Sequence, residues 1–156
     1  MIVSDASPII VLLKTNNLFI LKDLFEKITV PTAVYKEITA KEQEKIIFDK
    51  IEWIETRNIK NTQENVLLEK LIDKGEAQAI VLAKELKTTL LLDDAKARKY
   101  AKLLNVEVIG TLGLLKIAKS RGVIPSVKKI ISDMLAEGYY IEDKLVTQIL
   151  EDVGES

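Results

Sequence analysis

The chain contains no cysteine and no histidine. That excludes disulfides and thiolate metal sites, and it removes both the usual general base and the commonest zinc ligand. Any catalysis must run on carboxylates, hydroxyls, lysines or a hard metal ion. Long hydrophobic runs are also missing: none approaches the ~20 residues that span a bilayer. Met1-Ile2-Val3 lacks the basic start of a secretory signal, so a cytoplasmic protein with no membrane partner is expected. Nor is one sign of charge in excess, with 23 basic and 24 acidic residues giving a net charge of -1. Without a broad positive field, a nucleic-acid partner would have to be gripped by a local patch. Internal repeats, linkers and low-complexity tracts are absent as well. The 156 residues therefore read as one domain, 1–156, able to bury roughly two thirds of its extended surface.

What is present is alternation. Thr89 to Asp94 is a short apolar run left by two carboxylates, the pattern of a buried strand in a parallel sheet. Met1 to Ser4 is a second strand, and it too ends in an acid, Asp5. Lys27 to Val30, Ile51 to Ile54 and Glu107 to Ile109 are further strand segments. Helical spacing is expected over Pro8–Lys14, with Ser7 as its cap and Pro8 in its first position, and over Leu18–Phe25. Pro31 is expected to open a helix in which Ala33, Val34 and Glu37 share a face, turning Glu37 partly inward. Thr39–Lys50 reads as a charged surface helix. Gln63–Lys74 reads as a helix on Val66, Leu67 and Leu71, ended by Gly75. Glu76–Leu86 carries Glu76 at the head of the stripe Ala79, Ile80 and Ala83. After the central strand, Ala97, Tyr100, Ala101 and Leu104 point to the core. Thr111 is expected to cap the helix running through Ala118, and two more helices end the chain. Strand and helix in turn describe an α/β fold, a mostly parallel central sheet flanked by helices.

In such sheets ligands collect at the carboxyl ends of the strands. Asp5 and the pair Asp93-Asp94 would sit there, with Glu37 and Glu76 at inward-facing helix positions. Each has a plain alternative: Asp5 or Asp94 as a helix cap, Glu37 on a solvated face, Glu76 favoured by the helix dipole. Converging, they would be costly unless a cation or shared proton compensates them. Oxygen ligands without histidine or cysteine select Mg²⁺ or Mn²⁺ over zinc. An ion so held can activate water and neutralise a phosphoryl oxygen, which makes phosphodiester hydrolysis the reaction the set best serves. Ser7 and Thr111 would support the site from helix starts. Lys14, Lys36, Lys96, Arg98 and Lys99 are the candidates for holding RNA phosphates at its rim, Lys14, Lys96 and Arg98 foremost.

These residues carry a family resemblance. IVSDASPIIVL, VPTAVYKEI, GEAQAIVLAKEL, LLLDDAKARKYAKLLNVEVIGTLGLL and the tail KSRGVIPSVKKIISDMLAEGYYIEDKLV together resemble the PIN-domain family of metal-dependent ribonucleases, in its DUF3368 branch. The resemblance implies a single PIN-like domain with a four-acid Mg²⁺ or Mn²⁺ pocket, cleaving single-stranded RNA, often as the toxin of a toxin-antitoxin pair. It implies a homodimer and an antitoxin protein as partners. Carried over, the four acids are Asp5, Glu37, Glu76 and one of Asp93-Asp94. Better-studied members usually have aspartate where this chain has Glu76, and a Thr-Asn-Asp turn where it has Leu92-Asp93-Asp94. By position Asp94 aligns with that turn's acid, leaving Asp93 as an additional ligand or a structural cap. The competing readings are a PIN-like RNA- or protein-binding module without turnover, and a phosphoacceptor domain of receiver type. The second wants paired acids after the first strand, where Asp5 stands alone.

Overall fold

A computed structural model describes residues 1–156. Its frame is a five-stranded, all-parallel sheet of β1 (Ile2–Ser4), β2 (Ile28–Pro31), β3 (Ile54–Arg57), β4 (Leu90–Leu91) and β5 (Val108–Ile109), in the order β3-β2-β1-β4-β5. Consecutive residues of β1 and β2 point to opposite faces, yet all of them are sealed from solvent. Both faces are therefore covered, which is why these strands read as unbroken apolar runs. β3 is an edge strand, and its Glu55 and Arg57 blunt that edge. The order also differs from the 2-1-3-4-5 order of receiver-type sheets.

Ten helices connect the strands: α1 (Ala6–Lys14), α2 (Phe19–Phe25), α3 (Thr32–Ile38), α4 (Glu42–Asp49), α5 (Thr62–Glu69), α6 (Lys74–Leu86), α7 (Ala95–Leu103), α8 (Thr111–Ser120), α9 (Val127–Ala136) and α10 (Asp143–Asp152). α6 is the central one, packing against α3, α5 and the inner strands. Its small Ala77, Ala79 and Ala83 and its larger Ile80, Val81 and Leu82 are all buried.

Several local expectations are corrected. α1 begins at Ala6, so Ser7 lies inside it rather than capping it, and Pro8 takes its third position. Pro31 closes β2 and stands just before α3 instead of within it. Thr111 is the first residue of α8, and Gly110 occupies the cap. Gly75 does not terminate a helix; it lies in the first turn of α6, and Asp73 caps that helix. The preceding helix stops at Glu69, so Leu68 and Ile72 are buried while Val66, Leu67 and Leu71 face solvent. β3 starts where the expected strand ended, because Ile54 pairs with Ile28 and the pairing continues to Arg57.

Candidate active site

Because every strand is parallel, β1, β2 and β4 end on one edge of the sheet. The chain runs outward from β1 through β2 to β3, then crosses back to β4, so the order reverses between β1 and β4. That reversal opens a crevice at the carboxyl edge. Asp5 follows β1 and Asp94 follows β4, one on each side of it.

The Asp5 backbone is tied into the sheet, its N–H donating to the Leu91 carbonyl at 2.9 Å. Although Asp5 stands at the cap position of α1, its side chain makes no capping bond. The residue is 6% exposed, and Oδ1 is buried with no partner. Burial pushes its carboxyl up to about 7; the Ala6 N–H opposes this, and the carboxylates of Asp73, Glu76 and Glu37 add to it.

Glu76 sits at the third position of α6 in a reciprocal capping box. Its backbone N–H donates to Asp73 Oδ1 at 2.8 Å, and its Oε1 accepts the Asp73 N–H at 3.2 Å. Burial raises Glu76 to about 7; the Asp73 N–H lowers it, and the Asp73, Asp94 and Glu37 carboxylates push it higher. Glu37 does not turn inward as expected. Val34 and Ile38 take the buried face of α3, and exposed Glu37 lies over the first turn of α6. A Cβ placed on Gly75 would stand 3.5 Å from Glu37 Oε2 and 3.6 Å from Asp73 Oδ1. Partial burial, then the Asp73 charge, raises Glu37 too.

The adjacent acids Asp93 and Asp94 divide their roles. Both oxygens of Asp93 are taken by Thr111, whose N–H donates at 2.7 Å and whose hydroxyl donates at 2.6 Å. Asp93 thus clasps the end of β4 to the start of α8, and Thr111 supports that clasp. Arg98 lies over the same turn: a Cβ on Gly110 would meet its Nη1 at 2.8 Å and Asp93 Oδ1 at 3.0 Å. A side chain at 110 would therefore displace the end of the Arg98 guanidinium and press on Asp93 Oδ1. Asp94 caps α7 through Oδ1, which accepts the Ala97 N–H at 2.8 Å, and its other oxygen takes no protein hydrogen bond.

Lys96 is exposed in the first turn of α7, beside Asp94. Lys14 ends α1, about 12 Å along that helix from Ala6, in a cleft with Lys129 and Asp133 away from the acids. Ser7 touches the site's border only through its carbonyl, which accepts the Tyr139 hydroxyl at 3.0 Å.

Two residues near the site went unnoticed in the sequence. Asp73 couples to Asp5, Glu37 and Glu76, and the D-x-x-E spacing to Glu76 is its signal. Tyr139 reaches from the turn before α10 to α1; burial, then the Asp93 charge, raises its phenol. No sequence pattern marks it.

None of Asp5, Glu37, Asp73, Glu76 and Asp94 forms an ion pair with lysine or arginine. No three acids lie close enough to make a ready ligand group. The donor set still fits a hard cation: all oxygen, mutually repelling, with one buried oxygen unpartnered.

The profile of the DUF3368 PIN domain family matches residues 1–155. The chain belongs to the PIN-domain family. PIN domains are generally nucleases and typically bind divalent metal ions, and in this PIN domain the acids stand at the sheet edge. A PilT N-terminus domain protein from the hyperthermophilic archaeon Sulfolobus solfataricus is a similar solved structure, with 16% identity and a TM-score of 0.44 over 73% of this chain and 90% of that one. No curated protein matches in sequence. No helix is long and apolar enough to cross a membrane.

Proposed function

We propose that this PIN domain is a metal-dependent endoribonuclease that hydrolyses phosphodiester bonds in single-stranded RNA. Asp5, Glu37, Glu76 and Asp94 are its carboxylates, with Asp73 added to them and Asp93 assigned to holding the turn. The observation that carries this reading is Asp5: a buried carboxylate oxygen without a donor, among acids that no cation of the protein neutralises. Bound there, Mg²⁺ or Mn²⁺ would supply Lewis acidity toward a phosphoryl oxygen and a water acidic enough to attack near neutral pH.

Asp5 Oδ1, the free oxygen of Asp94, Glu37 and Asp73 would be the groups that hold the ion. Glu76, its Oε1 held by the Asp73 N–H, would present Oε2 as a proton acceptor beside the ion. Lys96 would steady a phosphate beside Asp94. The test is cleavage of a labelled single-stranded RNA pool in Mn²⁺ by the wild type, Asp5→Asn and Asp94→Asn. Loss in both variants and with chelator is expected. Undiminished cleavage by both variants would refute the reading.

A second reading, an RNA- or protein-binding module without turnover, is favoured by two observations: the spread of the acids and the capping bond that occupies Glu76 Oε1. Tight Mn²⁺ binding with no cleavage of any RNA would select it. As parts of the same proposal we include a toxin role checked by an antitoxin protein, and a homodimer. Phe19 and Leu145, each 45% exposed, offer apolar surface to a second copy, whereas Ile149 is spent in the core.

A further inference from the structure

Beside the acids, α3 and α6 enclose a cleft of about 310 Å³ whose lining includes Ala33, Lys36, Glu37, Asp73, Lys74 and Gln78. Glu37 and Asp73 belong both to this cleft and to the carboxylate cluster, so the two are continuous. Gln78 fixes the cleft's shape. Its Oε1 accepts the Ala33 N–H at 2.9 Å, satisfying a first-turn donor of α3 that has no partner within the helix. That bond commits the carbonyl end of the amide and leaves the NH₂ end as an unused donor. Lys36 and Lys74 are exposed and form no ion pair, even with two acids lining the same cleft.

We propose that this cleft is a subsite for the RNA backbone, holding the phosphate next to the one cleaved, with Lys36 and Lys74 as its cations and Gln78 as its hydrogen-bond donor. The position relative to the cleaved bond rests on the nuclease reading. The chemistry of the lining does not. Two ammonium groups and an amide NH₂ match phosphate oxygens and a ribose hydroxyl. No aromatic ring lines the cleft, so it has no platform on which a base could stack, and the subsite reads backbone rather than sequence. Its volume suits one nucleotide unit, not a folded partner. The shared acids make occupancy depend on a divalent ion: without one, Glu37 and Asp73 repel the phosphate that the lysines attract.

The test is equilibrium binding of a labelled single-stranded RNA, read by fluorescence anisotropy over a range of KCl concentrations in Mg²⁺. The protein is the Asp94→Asn variant of the whole 156-residue chain, which keeps the lysines and is designed to block cleavage. Adding Lys36→Gln and Lys74→Gln should weaken binding roughly five- to tenfold at low salt, and it should flatten the slope of log affinity against log salt by about 0.7. Lys87→Gln, at the opposite end of α6 and about 20 Å along it from Lys74, should change neither. In a series of strands carrying one neutral methylphosphonate each, the lysine effect should vanish only when the neutral linkage adjoins the one that wild type cuts in Mn²⁺. Unchanged affinity and slope, or a lysine effect that no neutral linkage removes, overturns the subsite. If wild type cleaves while the lysines are silent, only the subsite falls. If the lysines act while nothing is cleaved, the nuclease reading falls and the backbone subsite stands.

Discussion

At the scale of single residues, the account turns on what each carboxylate has been given to do. The Oδ1 of Asp5 has been given no partner within the protein. Its folded value of about 7 lies above its ordinary 3.8, so between those values the native state binds a proton that the unfolded chain releases. Stability of the metal-free protein therefore falls as pH rises from about 4 to about 7 and stays low above that. Asp5→Asn removes this loss. Calorimetric melting at pH 8 without metal should show the variant about 3 °C or more above wild type, and Mn²⁺ should raise the melting temperature of wild type alone. Asp93 is the opposite case, its two oxygens spent on Thr111. Thr111→Val should cost about 1–2 kcal/mol in urea unfolding and leave Mn²⁺ affinity unchanged. A large loss of metal affinity would return Asp93 to the ligand set. By position the family resemblance singles out Asp94, but it leaves Asp93 open between ligand and cap. Only the direction each takes after β4 separates the clasp from the candidate ligand.

At the scale of elements, short strands buried on both faces are legible because they permit nothing but apolar residues, which is why β1 and the core of β4 stand out in the sequence. β3 is not, since an edge strand of Ile, Glu, Thr and Arg carries no such constraint. Gly75 misleads for a related reason: glycine often marks a helix end, and here it lies in a first turn, in contact with Glu37, Asp73 and Val34. Another end-of-helix device lies at the carboxyl-terminal tail. Glu155 accepts the Ser126 hydroxyl at 2.7 Å and the Val127 N–H at 2.7 Å at the head of α9, and Lys119 donates to it at 3.0 Å. Burial works against ionisation, yet these donors outweigh it and hold Glu155 at about 2, below its usual 4.5. The stability it contributes is complete above about pH 4.5 and is lost as pH falls toward 2. Glu155→Gln should melt below wild type at pH 6, and the difference should shrink steadily toward pH 2. An equal difference at both ends would show that the bonds, and not the charge, carry the contribution.

At the scale of the whole molecule, one parallel sheet brings segments as distant as Asp5, Glu37, Glu76 and Asp94 to a single edge, with the reversal of strand order opening the space between them. The architecture was readable from the alternation of apolar runs and helical stripes, and so was the strand edge at which β1 and β4 deliver Asp5 and Asp94. Their final spacing was not, because it depends on helix starts shifted by one or two residues at Ala6, Lys74 and Thr111. The cleft between α3 and α6 was less legible: Lys36 is a rim candidate in the sequence, but no motif links it to Lys74 and Gln78. On the proposed function the arrangement also concentrates negative charge where a phosphodiester would approach, so RNA binding should strengthen on adding Mg²⁺ to Asp94→Asn protein, and affinity indifferent to the ion would contradict that. The central claim is that these remote carboxylates share a divalent ion. Anomalous diffraction from crystals soaked in Mn²⁺ tests it most directly: the account predicts a peak in the crevice between β1 and β4, within coordination distance of Asp5 and at least one of Glu37, Asp73, Glu76 and Asp94. A crevice without a peak, or one in which water or a lysine satisfies Asp5 Oδ1, would contradict it.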